Sequence, residues 1–209
     1  MNYIENIFIC LAAPLLLAIA FTRRAGRRAL IFLLAGMTAC LFSAYVSAYI
    51  AGVTGTDVLS ASHEIAPVVE EFIKFIPVLF YLLVFDPKKD RAVSALLLVA
   101  VGFATFENVC YLTSYGTSNL LRLLIRGFGT GAMHVVCGMS VSMGLIYLWD
   151  RTWLRTVGVF ALLCVVIQFH AVFNVLVNQT GPVFWFGSSV PLTLVLVYLI
   201  FFGKRVRFT

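Results

Sequence analysis

Residues 65–85 read IAPVVEEFIKFIPVLFYLLVF, an apolar stretch that is long enough to cross a bilayer and yet contains Glu70, Glu71 and Lys74. A helix of about 20 apolar residues spans the roughly 30 Å hydrocarbon core of a membrane. A charged side chain near the centre of such a helix costs roughly 2.5 to 3.5 kcal/mol on insertion scales. The stretch therefore predicts a membrane-spanning helix whose charges have partners or a function.

Similar apolar stretches recur along the whole chain. Of its 209 residues, 62% are hydrophobic and 11% are charged, whereas about 25% of the residues of a soluble domain are charged. We predict an all-α, polytopic transmembrane bundle that forms one domain over residues 1–209, with a motif-bearing core at about 64–178. The seven predicted spans are Tyr3 to Phe21, Ala29 to Ala51, Ile65 to Phe85, Ala92 to Tyr115, Phe128 to Trp149, Thr156 to Val177 and Val183 to Phe202.

The net charge of +6 comes from basic residues that follow alternate spans. The positive-inside rule then predicts an external N-terminus and a cytoplasmic C-terminus, so the charge does not indicate nucleic-acid binding. On the opposite side, Arg122 and Arg126 are predicted to reach lipid headgroups, or to hold a substrate near the entrance. The basic residues on the predicted cytoplasmic side are Arg23, Arg24, Arg27, Arg28, Lys88, Lys89, Arg91, Arg151, Arg155, Lys204, Arg205 and Arg207.

Four ionisable side chains share one predicted depth on four consecutive spans. At about 1.5 Å per helical residue, Glu70, Glu107, His134 and His170 all lie roughly 7 to 12 Å below the external surface. Random placement would scatter them over the roughly 30 Å of the hydrocarbon core. We therefore expect these side chains to line a single cavity.

These residue types suit hydrolysis of an unactivated bond. A carboxylate can take a proton from water, a histidine can assist, and the amide of Asn174, one turn after His170, can bind an oxyanion. Lys74 is expected to be a structural counter-ion for Glu70 or Glu71, because buried charges are usually paired. Glu71 is expected to orient Glu70 or to bond a neighbouring helix. Neither a G-x-S-x-G nor an H-E-x-x-H motif occurs in the sequence.

The sequence resembles the PrsW-type intramembrane proteases, which are related to the CAAX prenyl endopeptidases and the bacterial CPBP proteins. The resemblance covers about Glu64 to Asn174, and its four motifs occur in order on successive predicted spans. They are E-E-x-x-K at Glu70 to Lys74, F-x-x-x-E at Phe103 to Glu107, the single His134, and H-x-x-x-N at His170 to Asn174.

The resemblance implies an intramembrane endopeptidase of a bacterial plasma membrane that cleaves membrane-anchored proteins, such as an anti-sigma factor, near the external face. It implies that Glu70 is the general base, that His170 aids it, and that Asn174 belongs to the oxyanion site. Glu107 stands where the CAAX relatives have histidine. This leaves two alternatives: acid and base alone, which is our first expectation, or a divalent metal such as zinc held among Glu70, Glu107, His134 and His170.

Two other classes of function also fit a bundle with buried charges. Acids, histidines and a lysine inside a membrane also build proton-coupled transporters. A non-catalytic membrane scaffold is the third class, because the wider superfamily resemblance includes a scaffold subunit of gamma-secretase. No inverted repeat or pair of matched broken helices is visible in the sequence, so we expect an enzyme.

Overall fold

A computed structural model of the protein describes residues 4–85, 89–116, 120–148 and 152–202. The regular structure of these residues is entirely helical. The α-helices are α1 (Ile4–Phe21), α2 (Arg24–Thr54), α3 (Val58–Ser60), α4 (Ala66–Phe85), α5 (Lys89–Tyr115), α6 (Leu120–Leu148), α7 (Thr152–Val177) and α8 (Pro182–Phe202), and a π-helical turn (Ala61–Ile65) joins α3 to α4.

Five of the long helices are long and apolar enough to cross a membrane. Their spans are Ile4–Phe21, Arg24–Thr54, Arg91–Ser114, Thr156–Val177 and Pro182–Phe201. The two remaining long helices, α4 and α6, contain charged residues of the predicted site and of its flank, among them Glu70, Lys74 and Arg126. The chain is thus an all-helical integral membrane protein with five clear candidate spans.

Helix α5 lies at the centre of the bundle and crosses α2 at very short range. A Cβ atom on Gly36 would lie 2.1 Å from the carbonyl oxygen of Val99, and one on Gly102 would lie 2.0 Å from that of Leu33. Glycine at both positions therefore lets the two backbones touch, as small residues do where helices pack inside membranes.

The main core lies among α4, α5, α6 and α7, directly beside the predicted site residues. Val78, Met133, Val166 and Phe173 are almost fully buried in it. A second cluster, with Met37, Phe103 and Phe106, joins α2 and α5, and α1 packs against its outer side. The apolar faces of four helices thus surround the polar layer and fix their mutual positions.

Each predicted span falls on one long helix, but several helices begin earlier than predicted. Helix α6 begins at Leu120, eight residues before Phe128, so Arg126 lies within the helix. Helix α2 begins at Arg24 and includes arginines that we expected in a connection. The five cysteines are free. Several predicted positions lie outside the described residues: Tyr3, Lys88, Trp149, Arg151, Lys204, Arg205 and Arg207.

The segment that leads into α4 is not a regular α-helix. Asp57 caps α3 by accepting hydrogen bonds from the N–H groups of Leu59 and Ser60 at 3.0 and 3.1 Å. The π turn follows, and in it the N–H of Ala66 donates to the carbonyl of Ala61, five residues earlier. Such turns are rare and often lie next to functional sites.

Candidate active site

Helix α4 contributes three adjacent polar side chains to the bundle interior. Lys74 Nζ donates to Glu71 Oε1 at 2.5 Å, and the two side chains expose only 7% and 5% of their surface. The sequence spacing allowed Lys74 to pair with either Glu70, four residues away, or Glu71. The structure brings Lys74 to Glu71, which lies three residues away and therefore on nearly the same helix face.

Helix α7 places His170 against both acids of α4. His170 Nδ1 lies 2.7 Å from Glu71 Oε1, and its Nε2 lies 3.7 Å from Glu70 Oε2. The second distance is too long for a hydrogen bond. Among the described residues Glu70 Oε2 has no hydrogen-bond partner, although it is buried. A carboxylate oxygen and an imidazole nitrogen therefore face each other across a gap.

His134 on α6 is fully buried and contacts two further charged residues. Its Nδ1 lies 2.8 Å from Lys74 Nζ, and its Nε2 lies 2.5 Å from Glu107 Oε2 on α5. The His134 ring packs against Phe103 of the F-x-x-x-E motif and meets the His170 ring edge-on, with centroids 4.9 and 5.1 Å apart. The four residues predicted to share one depth thus converge in space.

Arg126, predicted from the sequence to reach lipid headgroups or to hold a substrate near the entrance, is in contact with the charged cluster. Its Nη2 lies 2.8 Å from Glu107 Oε1, and its Nη1 donates to the Thr130 hydroxyl at 2.7 Å. Its guanidinium also lies over the Tyr111 ring at 4.5 Å. Arg126 is thus held inside the bundle rather than at lipid headgroups. It lies eight residues before His134, just over two helical turns, and a prediction that α6 begins earlier would have placed it on the same helix as His134.

Asn174 lies on the same face of α7 as His170, as the spacing predicts. Its amide forms a hydrogen bond with another segment of the protein. Its Nδ2 donates to the backbone carbonyl of Ser62 at 2.9 Å. One turn later, Asn178 Nδ2 lies 2.8 Å from His63 Nε2. Both contacts join α7 to the π turn. The oxyanion role expected for Asn174 stays a prediction.

A small cavity adjoins the charged cluster. Its volume is about 20 Å³, and its walls include Glu71, Lys74 and His134 together with apolar side chains of α5 and α7. A space of this size with three polar neighbours can hold one water molecule. The polar layer is therefore suited to keep water among otherwise apolar helices.

The residues present fit a metal ion. One ligand atom from each of Glu70, His134 and His170 lies within 4.8 Å of the other two, and two imidazoles with one carboxylate are a common ligand set of catalytic zinc. The unpartnered Oε2 of Glu70 offers a free donor atom. Glu71 at His170 Nδ1 supplies the carboxylate that ligating histidines commonly have behind them. Both nitrogens of His134 have protein partners, so ligation by His134 would replace Lys74 or Glu107 there.

Comparison with known proteins agrees with this geometry. The family described as PrsW family intramembrane metalloprotease matches residues 16–203, which include every residue of the cluster. The chain belongs to this PrsW family. No curated protein and no solved structure matches the chain significantly.

Membership in the PrsW family decides between the classes of function that the sequence left open. The chain is an intramembrane protease, that is, a peptide hydrolase, rather than a transporter or a scaffold. The family consists of metalloproteases, which supports the metal-dependent alternative over our first expectation of acid and base alone. Within the described residues the candidate ligands are Glu70, His134 and His170, and Glu107 is not one of that group.

Proposed function

We propose that this PrsW-family protein hydrolyses a peptide bond of single-span membrane-anchored proteins close to one face of the bilayer. The observation that carries the proposal is the buried group of Glu70, His134 and His170, whose ligand atoms lie within 4.8 Å of one another among apolar helices. A site at that depth is accessible to a substrate that is itself held in the membrane.

In this proposal Glu70, His134 and His170 hold a divalent metal, with zinc preferred for its two histidine ligands. When bound there, zinc supplies a Lewis acid for the scissile carbonyl and a source of nucleophilic hydroxide. Glu71 holds His170 through its Nδ1 at 2.7 Å. Lys74 lies 2.5 Å from Glu71 and balances its charge. The task of Glu71 in this proposal is therefore to position His170.

Glu107 is the proposed proton acceptor in the metal-bound site. Its side chain exposes 24% of its surface, against 17% for Glu70 and 5% for Glu71, so it is the most accessible of the three acids. Arg126 fixes one of its oxygens, and the other lies 2.5 Å from His134 Nε2. A carboxylate positioned next to a ligand histidine can take a proton from an attacking water and return it to the leaving amine. The sequence-based alternative assigns the same task to Glu70.

For topology, we propose that all seven long helices cross the membrane, with the N-terminus external and the site near the external face. Arginines cluster where α2 begins, and Arg91 lies near the start of α5 at the same end of the bundle, which supports a cytoplasmic location for that end. A bacterial plasma membrane and an anti-sigma factor as substrate are the finer proposals that the family resemblance suggests.

The decisive experiment uses purified protein in lipid nanodiscs with a panel of single-span membrane proteins that includes anti-sigma factors. We expect bound zinc by elemental analysis, cleavage within or next to the substrate span, and loss of both on treatment with a chelator. Glu70→Gln and His170→Ala should abolish zinc binding and cleavage, whereas Glu64→Gln, the same chemical change at an exposed residue of the π turn, should preserve both. Cleavage that persists in Glu70→Gln, or wild-type protein that binds no divalent metal, would contradict the proposal.

A further inference from the structure

The π turn before α4 has a local cause in the sequence. Pro67 lacks an N–H, and in a regular α-helix its ring would clash with the carbonyl of His63, four residues earlier. The wider turn, in which Ala66 N–H donates to the carbonyl of Ala61, moves the chain out of that arrangement. We attribute the irregularity to this proline, which lies three residues before Glu70.

The same turn removes both backbone donors from the carbonyl of Ser62. An α-helix would supply the N–H of Ala66, but that group donates to Ala61. A continued π pattern would supply the N of residue 67, which is Pro67 and has no hydrogen. A carbonyl left unpaired in an apolar bundle is unfavourable. Asn174 Nδ2 satisfies it at 2.9 Å from the neighbouring helix.

The bond from Asn174 is one of three successive contacts between α7 and this segment. Asn178 contacts His63 at 2.8 Å, Asn174 contacts Ser62, and His170 contacts Glu71 at 2.7 Å. His170 and Asn174 on α7 and Asn178, just after its end, are four residues apart and lie along one face. They therefore fix the position of α4 along the axis of α7, and with it the position of Glu70 relative to His170.

We propose that Asn174 is a positioning residue, which pins the proline-induced π turn and so sets the gap between Glu70 and His170, rather than a group that touches the substrate. The proposal rests on the proposed function, because the gap between Glu70 and His170 matters when these residues bind a metal ion. It gives the asparagine of the H-x-x-x-N motif a task that its spacing from His170 alone does not suggest.

The experiment measures zinc affinity, thermal unfolding and kinetics on the purified protein in nanodiscs. Asn174→Ala and the near-isosteric Asn174→Leu should each weaken zinc binding by about 10-fold, within the range typical of residues that support a metal ligand. Each should also lower the unfolding midpoint by about 3 °C. Gln179→Ala, which removes an exposed amide that donates to the Val175 carbonyl of α7 itself, is the matched control and should leave zinc affinity unchanged.

Pro67→Ala tests the cause of the contact. It restores an N–H at residue 67 and permits a regular α-helix, in which the N–H of Ala66 satisfies the Ser62 carbonyl. The unfolding midpoint should therefore fall less with Asn174→Leu in a Pro67→Ala background than in the wild type. Equal losses in both backgrounds would contradict the proposal that Asn174 stabilises a turn caused by Pro67.

The two roles of Asn174 give different results. A substituted oxyanion residue would lower kcat while zinc affinity and the unfolding midpoint stay at wild-type values, and that outcome would overturn the positioning role. Failure of the proposed function is separable, because it would appear as wild-type protein without bound zinc or cleavage. In that case the unfolding cycle between Pro67 and Asn174 still decides whether the contact serves the π turn.

Discussion

Lys74 and Glu71 form an ion pair at the centre of the site, with Nζ and Oε1 2.5 Å apart and both side chains almost fully buried. The pair has further partners on each side, because Lys74 also lies 2.8 Å from His134 Nδ1 and Glu71 lies 2.7 Å from His170 Nδ1. One ion pair thus holds both histidines. Its position between them makes it the structural centre of the candidate metal site.

Removing one member of this pair should cost more stability than removing both. Lys74→Met leaves Glu71 charged and buried without its counter-ion, and we expect a loss of about 3 to 5 kcal/mol in the free energy of unfolding. The double variant Glu71→Gln with Lys74→Met should recover at least half of that loss, because no uncompensated charge remains. Unfolding experiments in lipid-like detergent measure the free energies of unfolding of the single and double variants. A double variant as unstable as the sum of the singles would contradict the pairing.

Glu107→Gln should separate proton transfer from metal binding. If Glu107 is the proton acceptor, the amide cannot replace it, and kcat should fall by about 10² to 10⁴-fold while zinc remains bound. Elemental analysis and cleavage assays on the same preparation give the two quantities. A loss of zinc equal to that of Glu70→Gln would instead place Glu107 among the ligands.

Arg126→Ala should impair catalysis through Glu107. The guanidinium holds Glu107 Oε1 at 2.8 Å, and its removal frees the carboxylate to turn away from His134, so we expect a 10- to 100-fold loss in kcat/KM. Arg126→Lys keeps the charge but not the planar fork that reaches Glu107 and Thr130 together, so it should restore only part of the activity. Arg23→Ala, at an exposed position just before α2, serves as the control, and an equal effect there would refute a specific role for Arg126.

The α2 and α5 crossing should tolerate no side chain at its two glycines. Gly36→Ala would place a Cβ 2.1 Å from the Val99 carbonyl oxygen, so the helices must separate, at a cost of about 1 to 3 kcal/mol in the free energy of unfolding. Gly52→Ala is the matched control on the same helix, because a Cβ there meets nothing within 4 Å. It should be neutral, or stabilise by up to about 1 kcal/mol, since alanine is the better helix former. Equal stability of the two variants would contradict the close crossing.

Much of the bundle followed from local features of the sequence. Apolar stretches of span length located the long helices, because a helix is the only way for one segment to satisfy its own backbone in lipid. The convergence of Glu70, Glu107, His134 and His170 could be predicted from their shared depth, because polar side chains at one level on adjacent helices turn away from lipid and toward one another. The start of α6 was wrong because Arg122, Arg126 and Gly127 interrupt the apolar stretch, although the helix begins before them.

Partner choice could not be predicted in the same way. Sequence spacing allowed Lys74 to serve either acid, and the rotation of α4 against α6 and α7 selects Glu71. Arg126 was assigned to headgroups because its partner, Glu107, is on another helix. The spacing placed Asn174 near His170 but did not indicate its hydrogen-bond partner, the Ser62 carbonyl. Each of these choices depends on contacts between helices, which no single segment encodes.

The sequence by itself determined that the chain is a helical membrane protein with a costly layer of ionisable residues, because hydropathy and charge act residue by residue along the chain. Only the tertiary structure decided which of those residues pair with one another and which atom, Glu70 Oε2, is left without a partner beside His170 Nε2. The physical reason is that hydrogen bonds and metal ligation depend on distances of a few ångströms, and in this bundle the packing of four helices sets those distances.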